Sequence, residues 1–199
     1  MKCNSSGKIV LVVVLCAALL ATGCNADWIS VALEDLPVLT QMALNIGTVV
    51  NTLEGGQQIS AAEAAAIQNI SAQASHDLNL LQSLYNEYKQ SPSANAVQKI
   101  QDAVADINQN LPALLEAAHI SNAVLSAKVA AAVSLILTTV NSFALMIPQS
   151  SAGAAAQASV QKAALPHAAD LKKQWNQHIC GASGDAGVDA AFGACPVGR

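Results

Sequence analysis

Apolar residues recur every three or four positions along four long stretches of the chain, at roughly residues 27–54, 60–90, 93–118 and 122–147. This spacing places the apolar side chains on one face of a helix, so it predicts four long helices and an all-α protein. Aromatic residues are few and alanines many, which also favours packed helices over a sheet. The apolar positions of the first three stretches are Leu39, Met42, Ile46, Val49 and Leu53, then Ile67, Ile70, Ala74, Leu78, Leu81, Tyr85 and Tyr88, then Val97, Ile100, Val104, Ile107, Leu111 and Leu114.

Residues that begin and end helices lie between these stretches. Gly55-Gly56 is typical of a helix end, and Ser60 with Glu63 forms the S-x-x-E pattern of a capping box. The turn Ser91-Pro92-Ser93 separates the second and third helices. No glycine or proline marks the third connection, where we expect Ser121 to cap the fourth helix.

Two prolines fall inside the predicted helices. Near Pro37, Asp35 could cap a fresh first turn, which would make the opening of the first helix a separate or kinked piece. Pro112 lies in the third stretch, where the apolar spacing continues past it. We therefore predict a kink there and not a new helix capped by Asn110.

Short connections make consecutive helices antiparallel, so we predict an up-down-up-down four-helix bundle over residues 24–148. Residues 149–199 are expected to pack on this bundle as an appended C-terminal helix and a tail. The helix covers about residues 160–178, with a restart at Pro166 as the alternative, and Trp175 and Ile179 would dock it. The tail is rich in glycine and has no helical period, so we expect it to be irregular.

The fourth stretch has no charge between Lys128 and Lys162. Its polar residues nevertheless recur at positions i, i+4, i+7 and i+8, which is an amphipathic pattern and favours a buried helix of the bundle. The alternative is a membrane-spanning segment at residues 129–147. The polar positions are Ser134, Thr138, Asn141 and Ser142.

The first 23 residues have the pattern of a secretory signal peptide. Met1–Lys8 carries two lysines and no acid, and an apolar run follows from Ile9 to Ala21. At its end Ala21-Thr22-Gly23-Cys24 resembles the lipobox of bacterial lipoproteins, which usually have leucine where this chain has Ala21. The resemblance implies cleavage before Cys24 and acylation of that cysteine, hence a stable membrane anchor. The alternatives are ordinary cleavage near Ala26 and an uncleaved anchor.

The resemblance also implies a place in the bacterial cell envelope, facing the periplasm. In lipoproteins of enteric bacteria an aspartate after the cysteine retains the protein in the inner membrane, so Asn25 favours the outer membrane in a Gram-negative host. The chain after residue 23 has seven basic and thirteen acidic residues, a formal charge of −6. This acidity argues against nucleic acid as a partner, and the predicted partner is the membrane, reached through the lipid.

Cysteine usage agrees with an oxidising compartment. Cys3 and Cys16 leave with the signal peptide and Cys24 carries the lipid, so Cys180 and Cys195 remain as a pair. A disulfide between them would close a loop of about 16 residues and stabilise the fold by about 3 kcal/mol in the chain-entropy description. Two free thiols or an intermolecular link are the alternatives.

A helical bundle can hold a di-iron centre, and Glu116-x-x-His119 is one copy of the motif that such centres use. A second copy is required, yet no other histidine has a glutamate three residues before it. We therefore predict no metal site and interpret His119 as a residue at a helix end, where the dipole favours it.

The C-terminal residues offer three weaker patterns. His178 beside Cys180 would supply only two ligands of a zinc site, and a structural disulfide is the better interpretation. The glycine-rich segment 181–187 lacks the Lys-Ser/Thr ending of a phosphate loop, and Asp185 with Asp189 provides too few oxygens for Ca²⁺. With no catalytic motif elsewhere, we predict no catalytic residue, no cofactor and no enzymatic activity.

Two hypotheses for function follow. The first is a lipid-anchored envelope protein with a structural or interaction role. The alternative is a binder of a small apolar molecule or lipid, because alanine-rich helices can enclose a cavity and the polar stripe of the fourth helix could line one wall.

Overall fold

The computed structural model describes residues 27–147 and 167–193, and nearly every residue in these two ranges is helical. No strand occurs within them, which confirms the all-α prediction. The helices are α1 (Asp27–Gly55), α2 (Ala61–Gln90), α3 (Ala94–Ala117), α4 (Ala123–Ala144), α5 (Ala168–Gln174), a π-helical turn (Trp175–Ile179) that continues α5, and α6 (Ala186–Phe192).

The four long helices surround one hydrophobic core. α1 packs on α2, α2 on α3, α3 on α4, and α4 returns to α1. α5 and α6 both pack on α1, while the π-helical turn packs on α4. The predicted apolar seams lie in this core, and only Val97, Tyr88 and Leu114 among them are partly exposed.

α1 and α2 make the most extensive helix contact, and a glycine permits their close approach. A Cβ atom on Gly47 would lie 2.7 Å from Ser71 Oγ. That hydroxyl donates to the Ala43 carbonyl at 2.7 Å, so a buried polar atom joins the two helices.

The expected break near Pro37 is absent, because α1 runs unbroken from Asp27 to Gly55. Asp35 therefore caps no helix, and that prediction was wrong. The apolar residues Leu36 and Leu39 on either side of the proline are fully buried in the same core, and their packing outweighs the single backbone hydrogen bond that proline removes. α3 likewise continues through Pro112, so no new helix begins at Asn110.

The capping box at α2 is confirmed. Glu63 N–H donates to Ser60 Oγ at 3.2 Å, and Ser60 N–H donates to Glu63 Oε2 at 2.8 Å. Ser93 caps α3, as its place in the predicted turn suggests, by accepting from the Ala96 N–H at 3.1 Å.

The cap predicted for α4 was one residue early. Asn122, not Ser121, accepts the N–H groups of Val124 and Leu125, at 2.9 and 3.0 Å. An asparagine oxygen suits this position as well as a serine hydroxyl does, so residue type alone does not distinguish these two neighbours. Ser121 is used instead in a long-range contact with α2.

The tail was expected to be irregular, but it contains α6. Asp185 caps this helix by accepting from the N–H groups of Gly187 and Val188. Val188 and Phe192 are buried in the common core. Two turns of helix are too short to show a period in the sequence, so tertiary packing and one cap determine the structure here.

α5 begins at Ala168, later than the position of about 160 predicted from the sequence. Residues 148–166 lie outside the described residues, so the first part of that prediction is untested. Trp175 and Ile179 are buried, which confirms that they dock this segment.

By length and composition, α4 could cross a membrane, the only such helix in the described ranges. Its predicted polar stripe is confirmed, since Ser134, Thr138 and Asn141 are exposed while Val129, Ile136 and other apolar residues are buried. α4 therefore presents its apolar face to the other helices.

Candidate functional site: a groove between α4 and α5

A shallow surface groove runs between α4 and the segment formed by α5 and the π-helical turn. It has two parts, of about 370 Å³ and about 270 Å³, and His178 lines both. These volumes approach the range of pockets that hold small organic ligands. The groove is therefore a candidate ligand site.

Apart from Lys128, the α4 wall of this groove is uncharged, and most of its side chains are small. Ala123, Ala127 and Ala131 repeat every four residues, and Ser134 and Thr138 extend the wall towards the end of α4. Residues three or four apart lie one above another on a helix, so these five form a continuous strip. Half of the predicted polar stripe is thus part of the groove.

The π-helical turn shapes the opposite wall. Cys180 N–H donates to the Trp175 carbonyl at 3.1 Å, a bond that spans five residues instead of four. Trp175 and Ile179 point into the core, whereas His178 is exposed at the groove. Such turns are rare and are frequent at functional sites.

Lys128 fixes the end of the groove. Its side chain is buried, and Nζ donates to the carbonyls of Ile179 and Gly181, each at 2.6 Å. Nζ also lies 5.1 Å from the centroid of the Phe192 ring, a cation–π contact. One amine therefore joins α4, the π-helical turn and α6.

The loop after the π-helical turn is held by an aspartate. Asp189 accepts from the N–H and hydroxyl of Ser183, at 2.7 and 2.6 Å, and from the Gly184 N–H at 3.0 Å. The Ser183 hydroxyl is the largest influence that keeps the pKa of Asp189 below its ordinary value. Gly184 has φ of 89°, in the left-handed region that glycine adopts without strain.

Further hydrogen bonds connect this loop to the starts of α2 and α4. Glu63 accepts from the N–H and the hydroxyl of Ser121, both at 2.7 Å, and Asn122 Nδ2 donates to Asp185 Oδ2 at 3.0 Å. We call Glu63, Ser121, Asn122, Lys128 and Asp185 the polar network. Hydrogen bonds from Ser121, first that of its N–H, and then from Ser60 lower the pKa of Glu63 from 4.5 to about 2.

Asp35 lies in a very different environment. It is 1% exposed, and neither carboxylate oxygen has a hydrogen-bond partner among the described residues. Burial raises its pKa from 3.8 to about 7, and the charges of Glu34 and Asp170 act in the same direction. The charge of His167, which is the largest influence after burial, lowers the pKa, and so does the Ala168 N–H, which does not reach hydrogen-bonding geometry.

The residues predicted as sites from the sequence are only partly described. Cys24 and Cys195 lie outside the described residues, so lipidation and the disulfide remain predictions. Cys180 is half-buried at the end of the π-helical turn, next to the groove. Glu116 and His119 are both exposed, and His119 follows the end of α3.

Within residues 27–147 and 167–193, no three His, Cys, Asp or Glu side chains are grouped so that they could hold a metal ion. Asp185 and Asp189, considered above for Ca²⁺, instead accept hydrogen bonds from the loop and the start of α6. The groove itself offers hydroxyl, amide and imidazole groups beside apolar ones, which suits a neutral molecule with a few polar atoms.

Known proteins give no guide to this site. No protein-family model matches the chain, and neither the curated proteins nor the solved structures contain a significant match.

Sequence reasoning missed Lys128 and Asp35 as important residues. Lys128 appeared only as the edge of an uncharged stretch, although its position one residue before Val129 places it beside the apolar face of α4. Asp35 stands directly before Leu36 and four residues before Leu39, so its place beside the seam was the available signal.

Proposed function

We propose that this chain is a lipid-anchored protein of the bacterial cell envelope with a structural or interaction role and no catalytic activity. The observation that carries the proposal is the lipobox-like sequence at residues 21–24, after a basic n-region and an apolar run. The anchor is Cys24, and the partner that it provides is the membrane surface.

The start of α1 supports this arrangement. Asp27 begins the helix only three residues after Cys24, which is about 10 Å of extended chain. So short a tether would hold the helical body against the bilayer. In a Gram-negative host, Asn25 slightly favours the outer membrane over the inner one, and the body would face the periplasm.

The proposal includes a finer description of the fold. The body is an antiparallel up-down-up-down four-helix bundle made by α1 to α4, because these helices are joined by short connections and contact one another in chain order, with α4 closing on α1. A disulfide between Cys180 and Cys195 joins the C-terminal residues to the π-helical turn.

Metabolic labelling tests the anchor. Cells that express the full chain are grown with radiolabelled palmitate, and the purified protein is examined by gel autoradiography. We expect label on the wild type and on Cys180→Ser but not on Cys24→Ser. Equal labelling of Cys24→Ser, or an unlabelled wild type that keeps residues 1–23, would overturn the proposal. Peptide mapping without reductant tests the disulfide separately.

A second function is supported by the groove beside α4. An apolar molecule with one or two polar atoms would lie on the alanine strip and bond to Thr138 or His178. Native mass spectrometry of the wild type should detect a bound molecule that Ala131→Trp, which fills the groove, does not retain. Ala105→Trp, at an exposed alanine of α3 outside the groove, is the size-matched control and should retain it. A wild-type spectrum with no additional mass would count against binding.

A further inference from the structure

We propose that the protonation state of Asp35 controls how firmly α5 is held against α1. Three observations carry this inference: the burial of the carboxyl group, its lack of hydrogen-bond partners among the described residues, and its position on α1 beside the start of α5, which packs on α1. It concerns the mobility of one helix and does not depend on the lipid anchor.

The α5 segment is attached to the core by few side chains. Leu171, Trp175 and Ile179 are its buried residues, and Lys128 binds the Ile179 carbonyl at its C-terminal end. His167, at its N-terminus, has no side-chain hydrogen bond that caps the helix. A short helix with so few buried residues can detach while the four long helices stay assembled, because local opening costs less than global unfolding.

A buried carboxylate without partners is unfavourable, whereas a buried carboxylic acid costs much less. When α5 detaches, Asp35 becomes hydrated and its carboxylate is no longer disfavoured. Ionisation therefore favours the detached state. Because the pKa of Asp35 is about 7 with α5 in place and near 3.8 once hydrated, attachment is strongest below pH 4 and weakens as the pH rises through 7.

The charged groups around Asp35 modify this response without reversing it. Glu34 precedes it on α1, and His167 and Asp170 face it from α5. Protonated His167 lowers the pKa of Asp35, while the two acids raise it. The polar network does not contribute to the same pH range, since Glu63 titrates near pH 2.

Detachment of α5 would also change the groove. Gln174, at the end of α5, and His178, in the π-helical turn, form its outer wall, so loosening of that segment widens the groove. A proton bound on α1 would thereby regulate access to the groove surface of α4.

Amide hydrogen exchange of the purified full chain in mild detergent tests the proposal. Exchange in peptides from residues 168–179 is measured at pH 5.5 and pH 8, and corrected for the intrinsic pH dependence of exchange. We expect protection of the wild type to fall about tenfold or more at pH 8. Protection in peptides from α2 and α3 should stay constant.

Four variants make the result specific. Asp35→Asn and Asp35→Leu should show less than about a twofold change between the two pH values, because neither residue ionises. Glu34→Gln, which changes the adjacent exposed acid, and His167→Gln should still lose protection at pH 8. Constant protection of α5 in the wild type would overturn the proposal, and so would a fall that persists in Asp35→Leu or disappears in His167→Gln. Circular dichroism confirms that each variant is folded, and the wild-type measurement decides the proposal even if a variant does not fold.

Discussion

Two polar regions of this molecule differ in whether their charged groups have hydrogen-bond partners. The polar network joins the starts of α2 and α4 to the C-terminal helix, and each of its charged groups has hydrogen-bond partners. Asp35 has none among the described residues and lies deeper in the core. Hydrogen-bond partners, and not burial alone, therefore determine whether a charge supports this helical fold.

The two regions also have opposite pH dependence. The lowered pKa of Glu63 means that its contribution is complete above pH 4.5 and is lost as the pH falls towards 2. The raised pKa of Asp35 means that its environment favours folding below pH 3.8 and disfavours it increasingly as the pH rises through 7. Together, Glu63 and Asp35 destabilise the fold least between about pH 4 and pH 5.

Of the substitutions in these two regions, removal of the Lys128 amine should have the largest effect on the free energy of unfolding. Lys128→Met keeps the buried stem but leaves two carbonyls unpaired, so we expect a loss of about 3 kcal/mol in the free energy of unfolding. Urea denaturation followed by circular dichroism measures it. Lys173→Met, at an exposed lysine of α5, is the matched control and should change stability by less than about 0.5 kcal/mol. Equal effects of the two variants would show that the amine is not structural.

Neutralisation of Asp35 should act in the opposite direction. The gain in unfolding free energy of Asp35→Asn over the wild type should be about 2 kcal/mol larger at pH 8 than at pH 4.5, since only the wild type must bury a carboxylate at pH 8. This difference between pH values is independent of the cost of burying the amide. Glu34→Gln, which removes only one of the smaller influences on the pKa of Asp35, should show a much smaller difference. A gain that does not vary with pH would contradict the buried titration.

Asn122 has two roles in the polar network, which two substitutions separate. Asn122→Ala removes both the α4 cap and the donor to Asp185, and should cost about 1.5 kcal/mol in urea denaturation. Asn122→Ser keeps a capping oxygen but does not reach Asp185. It should retain most of the stability while exchange in α6 becomes faster, and equal losses in both variants would assign the whole effect to the contact with Asp185.

Substitution of Glu63 tests how the polar network responds to low pH. Glu63→Gln should cost about 1 kcal/mol at pH 7, a figure reduced for solvent screening of this partly exposed group. The wild type should lose stability between pH 4.5 and pH 2.5 by more than the variant does. Glu116→Gln, an exposed acid at the end of α3, should follow the wild type at every pH.

The smallest effect is expected for an ordinary surface pair. Lys99 Nζ lies 2.9 Å from Glu87 Oε1, and both side chains are about half exposed. Lys99→Ala should change the free energy of unfolding by about 0.5 kcal/mol or less. A larger loss would mean that exposed charges matter more in this protein than in most, and would weaken the contrast between the two regions.

The long helices could be predicted from the sequence because each repeats its apolar spacing over many turns. The capping box at Ser60 and Glu63 was visible for the same reason, since its two partners lie three residues apart. Prediction failed where the decisive contact is distant in the chain. α6 depends on packing in the core, and Ser121 on a bond to Glu63 that is 58 residues away.

The groove could be predicted only in part. Ser134 and Thr138 were identified as one polar face, but nothing in the sequence indicates that the π-helical turn lies opposite. The roles of Lys128 and Asp35 depend on which chain segments cover them, a property that spacing along one helix does not contain. The anchor at Cys24 and the disulfide between Cys180 and Cys195 are predictions from the sequence.

The contact between Lys128 and the Gly181 carbonyl spans 53 residues, and it has a consequence for the order of folding. The surface of α4 that carries Lys128 forms only when the four long helices have assembled. The segment 167–193 is therefore expected to fold onto a nearly complete set of these helices. This C-terminal segment is therefore expected to form late during synthesis and to be the first part exposed to proteases when the chain opens.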